Sequence, residues 1–195
     1  SMLQSLALFP LQTVLFPGCL LDLQLFEPRY LDMLSRCLRQ GSGFGVVALL
    51  EGGEVGASAR RVTALGCEAE VCDWQQLPNG LLGVRVRGAR RFRLHDWQAQ
   101  PDQLLLGDID WLAEQADVAL QAEHEELLLL REALVCHPQV ADLLAERRPR
   151  GLQALTWELA YLLPLQRDEK LRLLAQDDPC ARCTQLRELL EQLQG

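Results

Sequence analysis

The stretch from Leu21 to Gly45, LDLQLFEPRYLDMLSRCLRQGSGFG, leaves few choices for how this chain folds. Leu21, Leu23 and Leu25 alternate with Asp22 and Gln24, the period-two pattern of a strand with one face toward a core. Beyond Phe26 the period lengthens: Tyr30 or Leu31, Leu34 and Cys37 or Leu38 recur at helical spacing. Pro28 suits the first helical position, where a missing N–H has no intrahelical partner to lose. Gly41-Ser42-Gly43 ends the helix, and Phe44 to Leu50 resumes as strand. The unit is strand, helix, strand, and Phe26-Glu27-Pro28-Arg29-Tyr30 is its corner.

The flanking sequence reads mostly as strand. Residues 6–19 are short extended pieces broken by Pro10, Pro17 and Gly18. Residues 51–54, with Gly52-Gly53, are expected to turn, and 56–61 to be irregular. Val62 to Trp74 alternates toward its end, with Glu68 and Glu70 expected outward and Ala69 and Val71 inward. Pro78-Asn79-Gly80 makes a turn. Leu82 to Leu94 reads as two strands broken at Gly88-Ala89, with Val84, Val86, Phe92 and Leu94 buried and Arg85, Arg87, Arg91 and Arg93 facing out. Leu104 to Trp111 is a last strand. Residues 1–111 are therefore expected to form a twisted, mostly antiparallel sheet or partly closed β-barrel with one inserted helix.

After Trp111 the pattern becomes helical. Asp117 to His137 is a leucine- and alanine-rich run with acidic residues early, where a helix dipole favours them. Gln139 to Glu146 reads as a short helix. A third follows Arg150-Gly151, with Leu152, Leu155, Leu159 and Leu162 on one stripe, and Pro164 stops it. Asp168 to Ala175 is a fourth. Asp178-Pro179 opens a fifth, which runs through Leu186, Leu189, Leu190 and Leu193. The class is α+β, with an α-helical bundle expected over residues 112–195.

The sequence is poor in catalytic patterns. Of 19 Lys and Arg residues only Lys170 is lysine, and it has neither a glycine-rich turn before it nor a hydroxyl after it, so a P-loop is excluded. A serine–lysine dyad would need the same Lys170, which reads as the exposed face of a helix. Gly41-Ser42-Gly43-Phe44-Gly45 fails the dinucleotide fingerprint, because it leads from helix to strand and residue 46 is valine. Gly56-Ala57-Ser58-Ala59-Arg60 lacks the second glycine of a nucleophile elbow. Cys180-Ala181-Arg182-Cys183 offers two thiols at a helix start, but a structural zinc needs four ligands and no second pair accompanies it. Cys183 is expected to fill the core and Cys180 to lie in the first turn. The three histidines, His95, His124 and His137, have no metal-ligand spacing. No cofactor or metal is called for.

Charge and composition narrow the partners. A net charge of −8 argues against a general nucleic-acid binder, which needs positive surface to displace counterions. No run reaches the roughly 18 apolar residues of a membrane span. The N-terminus lacks the basic start of a secretory signal, and the seven cysteines are scattered and odd in number, so reduced thiols in the cytoplasm are expected. Arg85, Arg87, Arg90, Arg91 and Arg93 crowd one hairpin. They form either a basic strip for RNA or an acidic partner, or a set of ion pairs to Glu68, Glu70 and the acidic residues beyond Leu94; the second is favoured. The oligomeric state is left open.

Set side by side, several segments resemble the N-terminal, substrate-binding domain of the Lon protease family. They are Phe9-Pro10-Leu11, Val14-Leu15-Phe16-Pro17-Gly18, Leu23-Gln24-Leu25-Phe26-Glu27-Pro28-Arg29-Tyr30, Phe44-Gly45-Val46-Val47, Gly56 and Gly88-Ala89-Arg90-Arg91-Phe92-Arg93. Leu163-Pro164-Leu165, Lys170 to Leu174 and Asp178 through Arg182 to Leu186 extend the resemblance through the helical half. It implies a PUA-like β-barrel followed by a helical bundle, as the periodicity does. It also implies recognition of unfolded or extended polypeptide segments or of a protein partner, as an adaptor in protein turnover. The sequence shows no counterpart of the family's ATPase and serine–lysine peptidase domains, so a stand-alone, non-catalytic form is expected. Glu27, Arg29 and Tyr30, with Phe26 and Pro28, match the family's motif, and their expected role is to lock the helix to the barrel.

Overall fold

The computed structural model describes residues 2–52, 59–144 and 148–195. The chain divides into two compact units, Ser1–Leu112 and Ala113–Gly195. The first contains β1 (Gln4–Leu11), β2 (Leu20–Leu25), α1 (Pro28–Gln40), β3 (Phe44–Gly52), β4 (Ala59–Gln76), β5 (Leu82–Ala99) and β6 (Leu105–Trp111). The strands lie in the order β2-β5-β4-β3-β1-β6, and a further pairing of β5 with β6 closes the last five into a barrel. β1 and β3 run parallel, and the other pairings are antiparallel. β2 stays outside the ring, on the edge of β5.

The stretch from Leu21 to Gly45 folds as its pattern requires. Leu23 and Leu25 are buried, Pro28 takes the first helical position, and Tyr30, Met33, Leu34 and Cys37 form the buried face of α1. Gly41 stops the helix in the left-handed region, at φ 64°, with its N–H on the Cys37 carbonyl. These side chains pack with Phe9, Phe44, Val46, Val84 and Val86 in one core. A second core holds Leu8, Val47, Phe92, Leu94 and Ile109. Neighbours in sequence, Leu8 and Phe9 or Val46 and Val47, enter different cores, so the sheet buries both faces.

β5 departs from the sequence reading in an instructive way. It is one strand of 18 residues, not two. Opposite β4 its register steps from Gly88↔Ala69 to Arg91↔Cys67, so β5 carries one extra residue there. That bulge turns the strand over. Val84 and Val86 face the first core while Phe92 and Leu94 face the second, and Arg91 is swung inward to 0% exposure instead of facing out. Gly88 sits where the loop before β2 crosses: its N–H donates to the Cys19 carbonyl, and its carbonyl accepts the Gly18 N–H. A Cβ on Gly88 would lie 2.0 Å from the Phe16 carbonyl oxygen, so a side chain is barred.

Other boundaries also moved. Glu68 alternates with Ala69 as expected but is buried, at 6% exposure, because Arg90 covers it. Ala59–Arg61 belongs to β4 rather than to an irregular piece, and Glu51 and Gly52 belong to β3; residues 53–58 lie outside the described residues.

The second unit holds α2 (Glu125–Val135), α3 (Pro138–Ala141), α4 (Leu152–Leu162), α5 (Arg167–Ala175) and α6 (Pro179–Gln194), with a short 3₁₀ turn at Ala122–His124. The first helix begins later than the leucine run suggests. Asp117 is occupied elsewhere: its Oδ1 accepts the Gln153 N–H at 3.0 Å, and the Val118 carbonyl accepts the Leu152 N–H at 2.9 Å. Residues 117 and 118 thus satisfy the open N–H groups at the start of α4, whose own N-cap, Gly151, has no side chain to do so. α3 ends at Ala141, short of the expected Glu146, which lies outside the described residues. Asp178 caps α6 by accepting the Cys180 N–H, as the sequence predicts.

Candidate functional site

The corner before α1 is a compact polar joint. Arg29 is 7% exposed, and its Nη2 donates to Glu27 Oε1 at 3.2 Å. Its Nη1 donates to the Gln103 carbonyl at 2.9 Å, which ties α1 to the turn before β6. The guanidinium lies 4.6 Å from the Tyr30 ring centre, and Tyr30 in turn packs on Phe9 with centroids 4.3 Å apart. Phe26 is half exposed.

The arginines of β5 are mostly spent on neighbours or buried. Arg85 binds Asp22 through two hydrogen bonds, of 2.8 and 3.0 Å. Arg90 binds Glu68 in the same two-pronged way, at 3.0 and 3.1 Å, and stacks 3.7 Å over the Trp111 ring. The Glu68 hydrogen bond raises Arg90 above its ordinary pKa. Arg91 is buried, while Arg87 and Arg93 remain exposed. The hydrogen bond from Arg85 lowers the Asp22 carboxyl below its usual value, against a smaller opposing effect of burial. A depressed folded pKa means that the pair's contribution is present above the unfolded carboxylate range, near about 4, and is lost as pH falls through the lowered folded value. Asp22→Asn should therefore cost under about 1 kcal/mol at neutral pH, because the pair is solvent-screened. The gap to the parent should close in acid, as read from urea midpoints at the two pH values.

A family model for the ATP-dependent protease La (LON) substrate-binding domain matches residues 5–192. The chain belongs to this family. It is 34% identical to a Lon N-terminal domain protein from Xanthomonas campestris, whose crystal structure superposes with a TM-score of 0.76 over 95% of this chain and 98% of that one. The N-terminal domain of the Mycobacterium avium complex Lon protease shares the fold at 19% identity, with a TM-score of 0.64 over 96% of this chain and 97% of that one. The Lon-type architecture is thus a β-barrel unit with one inserted helix followed by a helical unit.

Within the Lon-type barrel unit two clefts flank β2. One, of about 390 Å³, is lined by Asp22, Gln24, Asp73, Trp74, Leu77 and Arg85. The other, of about 190 Å³, is lined by Phe9, Leu11, Leu23, Leu25, Phe26 and Tyr30. Trp74 is 55% exposed and Phe26 50%. In the sequence Trp74, Asp22 and Gln24 read only as strand residues, and Phe26 only as part of the corner. The signal available was a large aromatic at the end of an otherwise polar strand segment. The remaining candidates do not assemble into chemistry. Cys180 is exposed while Cys183 is buried, and no cluster of three or more potential metal ligands occurs among the described residues. Lys170 is half-buried rather than on an exposed face, and its Nζ donates to the Tyr161 carbonyl at 2.6 Å. No helix among the described residues is long and apolar enough to cross a membrane.

Proposed function

We propose that this chain is a non-catalytic module that recognises unfolded or extended polypeptide and serves as an adaptor in protein turnover. Membership in the substrate-binding domain family, over residues 5–192, carries the reading. The clefts beside β2, with Phe26 and Trp74 half exposed, supply apolar surface for such a ligand. The arginines of β5 support the alternative RNA reading poorly, because Arg85 and Arg90 are ion-paired and Arg91 is buried. Calorimetric titration with one protein in two forms tests the proposal: native α-lactalbumin, and the same protein reduced and carboxymethylated so that it stays unfolded. Binding of the unfolded form alone is expected. Equal heats from both, or none from either, would contradict it.

Within the corner, the Glu27–Arg29 pair has a structural role. Arg29→Ala removes bonds to Glu27 and to the Gln103 carbonyl from a nearly buried site, at a cost of about 1–3 kcal/mol. Thermal unfolding should show the loss, while the folded variant keeps its affinity for the unfolded probe. Unchanged stability with lost binding would place the corner among the ligand contacts instead.

A further inference from the structure

We propose that the polypeptide is taken up by strand addition along the outer edge of β2, at Asp22 and Gln24. This inference rests on the reading above and specifies its geometry. β2 ends the sheet order and has β5 as its one strand neighbour among the described residues. The Gly88 N–H bonds to the Cys19 carbonyl, which sets the phase of the β2–β5 ladder. Continued through Leu21↔Val86, Leu23↔Val84 and Leu25↔Leu82, that phase spends the main-chain groups of the three leucines on β5. The N–H and C=O groups of Asp22 and Gln24 point the other way, into the open edge. Sheet edges are commonly blunted with lysine, proline or a bulge. The sequence LLDLQL has none of these, and Asp22, its one charge, is held by Arg85.

The two clefts explain what would sit beside such a strand. Leu23 and Leu25 face the first core, and the cleft on that side sets Phe9, Leu11, Tyr30 and the exposed Phe26 beside Glu27. Asp22 and Gln24 face the opposite side, where the second cleft sets the carboxylates of Asp22 and Asp73 against the single guanidinium of Arg85. An added strand alternates its side chains between the two faces of the sheet. Main-chain bonds give it affinity, and pockets for alternate side chains give it selectivity. The occupant that fits is an extended segment with aliphatic or aromatic residues at one parity and polar or basic residues at the other.

Proline at position 24 tests the edge without touching the ladder, because the N–H it removes points outward and edge strands tolerate it there. Binding is read by anisotropy with fluorescein-labelled, reduced and carboxymethylated α-lactalbumin. Gln24→Pro should weaken binding by about tenfold more than Gln24→Ala does, through the lost bond and the ring in the partner's path. Full affinity in a folded Gln24→Pro variant overturns the edge and leaves polypeptide recognition standing. A wild type that ignores the probe overturns both. Hydrogen exchange on the wild type needs no variant: the amides of Asp22 and Gln24 should exchange fast alone and slowly with the probe. Unchanged exchange at these two positions overturns the proposal. So does a dimer, seen by sedimentation, in which both amides are already protected, since a second copy would then hold the edge.

Discussion

Arg182→Ala is expected to destabilise the helical unit by about 3–5 kcal/mol, one of the largest losses available to a single substitution in this chain. Arg182 is 0% exposed. Its Nη1 donates to Gln153 Oε1 at 2.9 Å and to Thr156 Oγ1 at 3.0 Å, and its Nη2 donates to the Gln176 carbonyl at 2.5 Å. The guanidinium also lies 3.3 Å over the Trp157 ring. Alanine would leave a cavity beside the indole and strand acceptors from α4 and from the segment before α6, each at the cost of its desolvation. Lysine should recover little, because one ammonium cannot reproduce a planar fork that serves three acceptors and stacks on a ring. Urea unfolding of the three proteins gives the comparison, and a loss under about 1 kcal/mol for alanine would contradict the assignment.

Glu158→Ala should cost a similar amount, about 3–5 kcal/mol, for a different reason. Glu158 Oε2 accepts from Arg131 Nε, and the two side chains are 10% and 3% exposed. Removing the acid takes the Glu158 carboxylate from a guanidinium that stays buried. Removing both partners relieves that penalty, so the double variant Arg131→Leu/Glu158→Leu should unfold near the parent midpoint. A double variant as unstable as Glu158→Ala would show that the loss lies in packing and not in the uncompensated charge.

Much of this architecture is legible in the sequence where local chemistry and packing agree. Leu21 to Gly45 is such a place: alternation, Pro28 at the helix start and Gly41 at its end all demand one backbone path. Where an element answers to a distant one, the pattern misleads. Strict alternation through β5 puts Arg91 on the surface, because nothing nearby reveals that the loop at Phe16 to Cys19 crosses at Gly88 and that the strand turns over just beyond it. Asp117 reads as the start of its own helix, yet it caps α4, whose Gly151 brings no cap. Nothing around Arg182 in the sequence marks it as buried, since its partners lie on α4 and beyond α5 in a surround that only the fold assembles. The open edge at Asp22 and Gln24 is hidden for the same reason: β2 shows its alternation in sequence, but not how many neighbours it has.

The most direct test of the account is a side-by-side titration of the full chain at low salt. The two ligands are the carboxymethylated, unfolded α-lactalbumin and a single-stranded RNA of mixed sequence. Low salt favours the RNA, because release of counterions then contributes most. Saturable binding of the unfolded polypeptide that changes little as salt is raised, with no binding of the RNA, is expected. RNA binding that weakens steeply with salt, in a chain that leaves the polypeptide unbound, would contradict it.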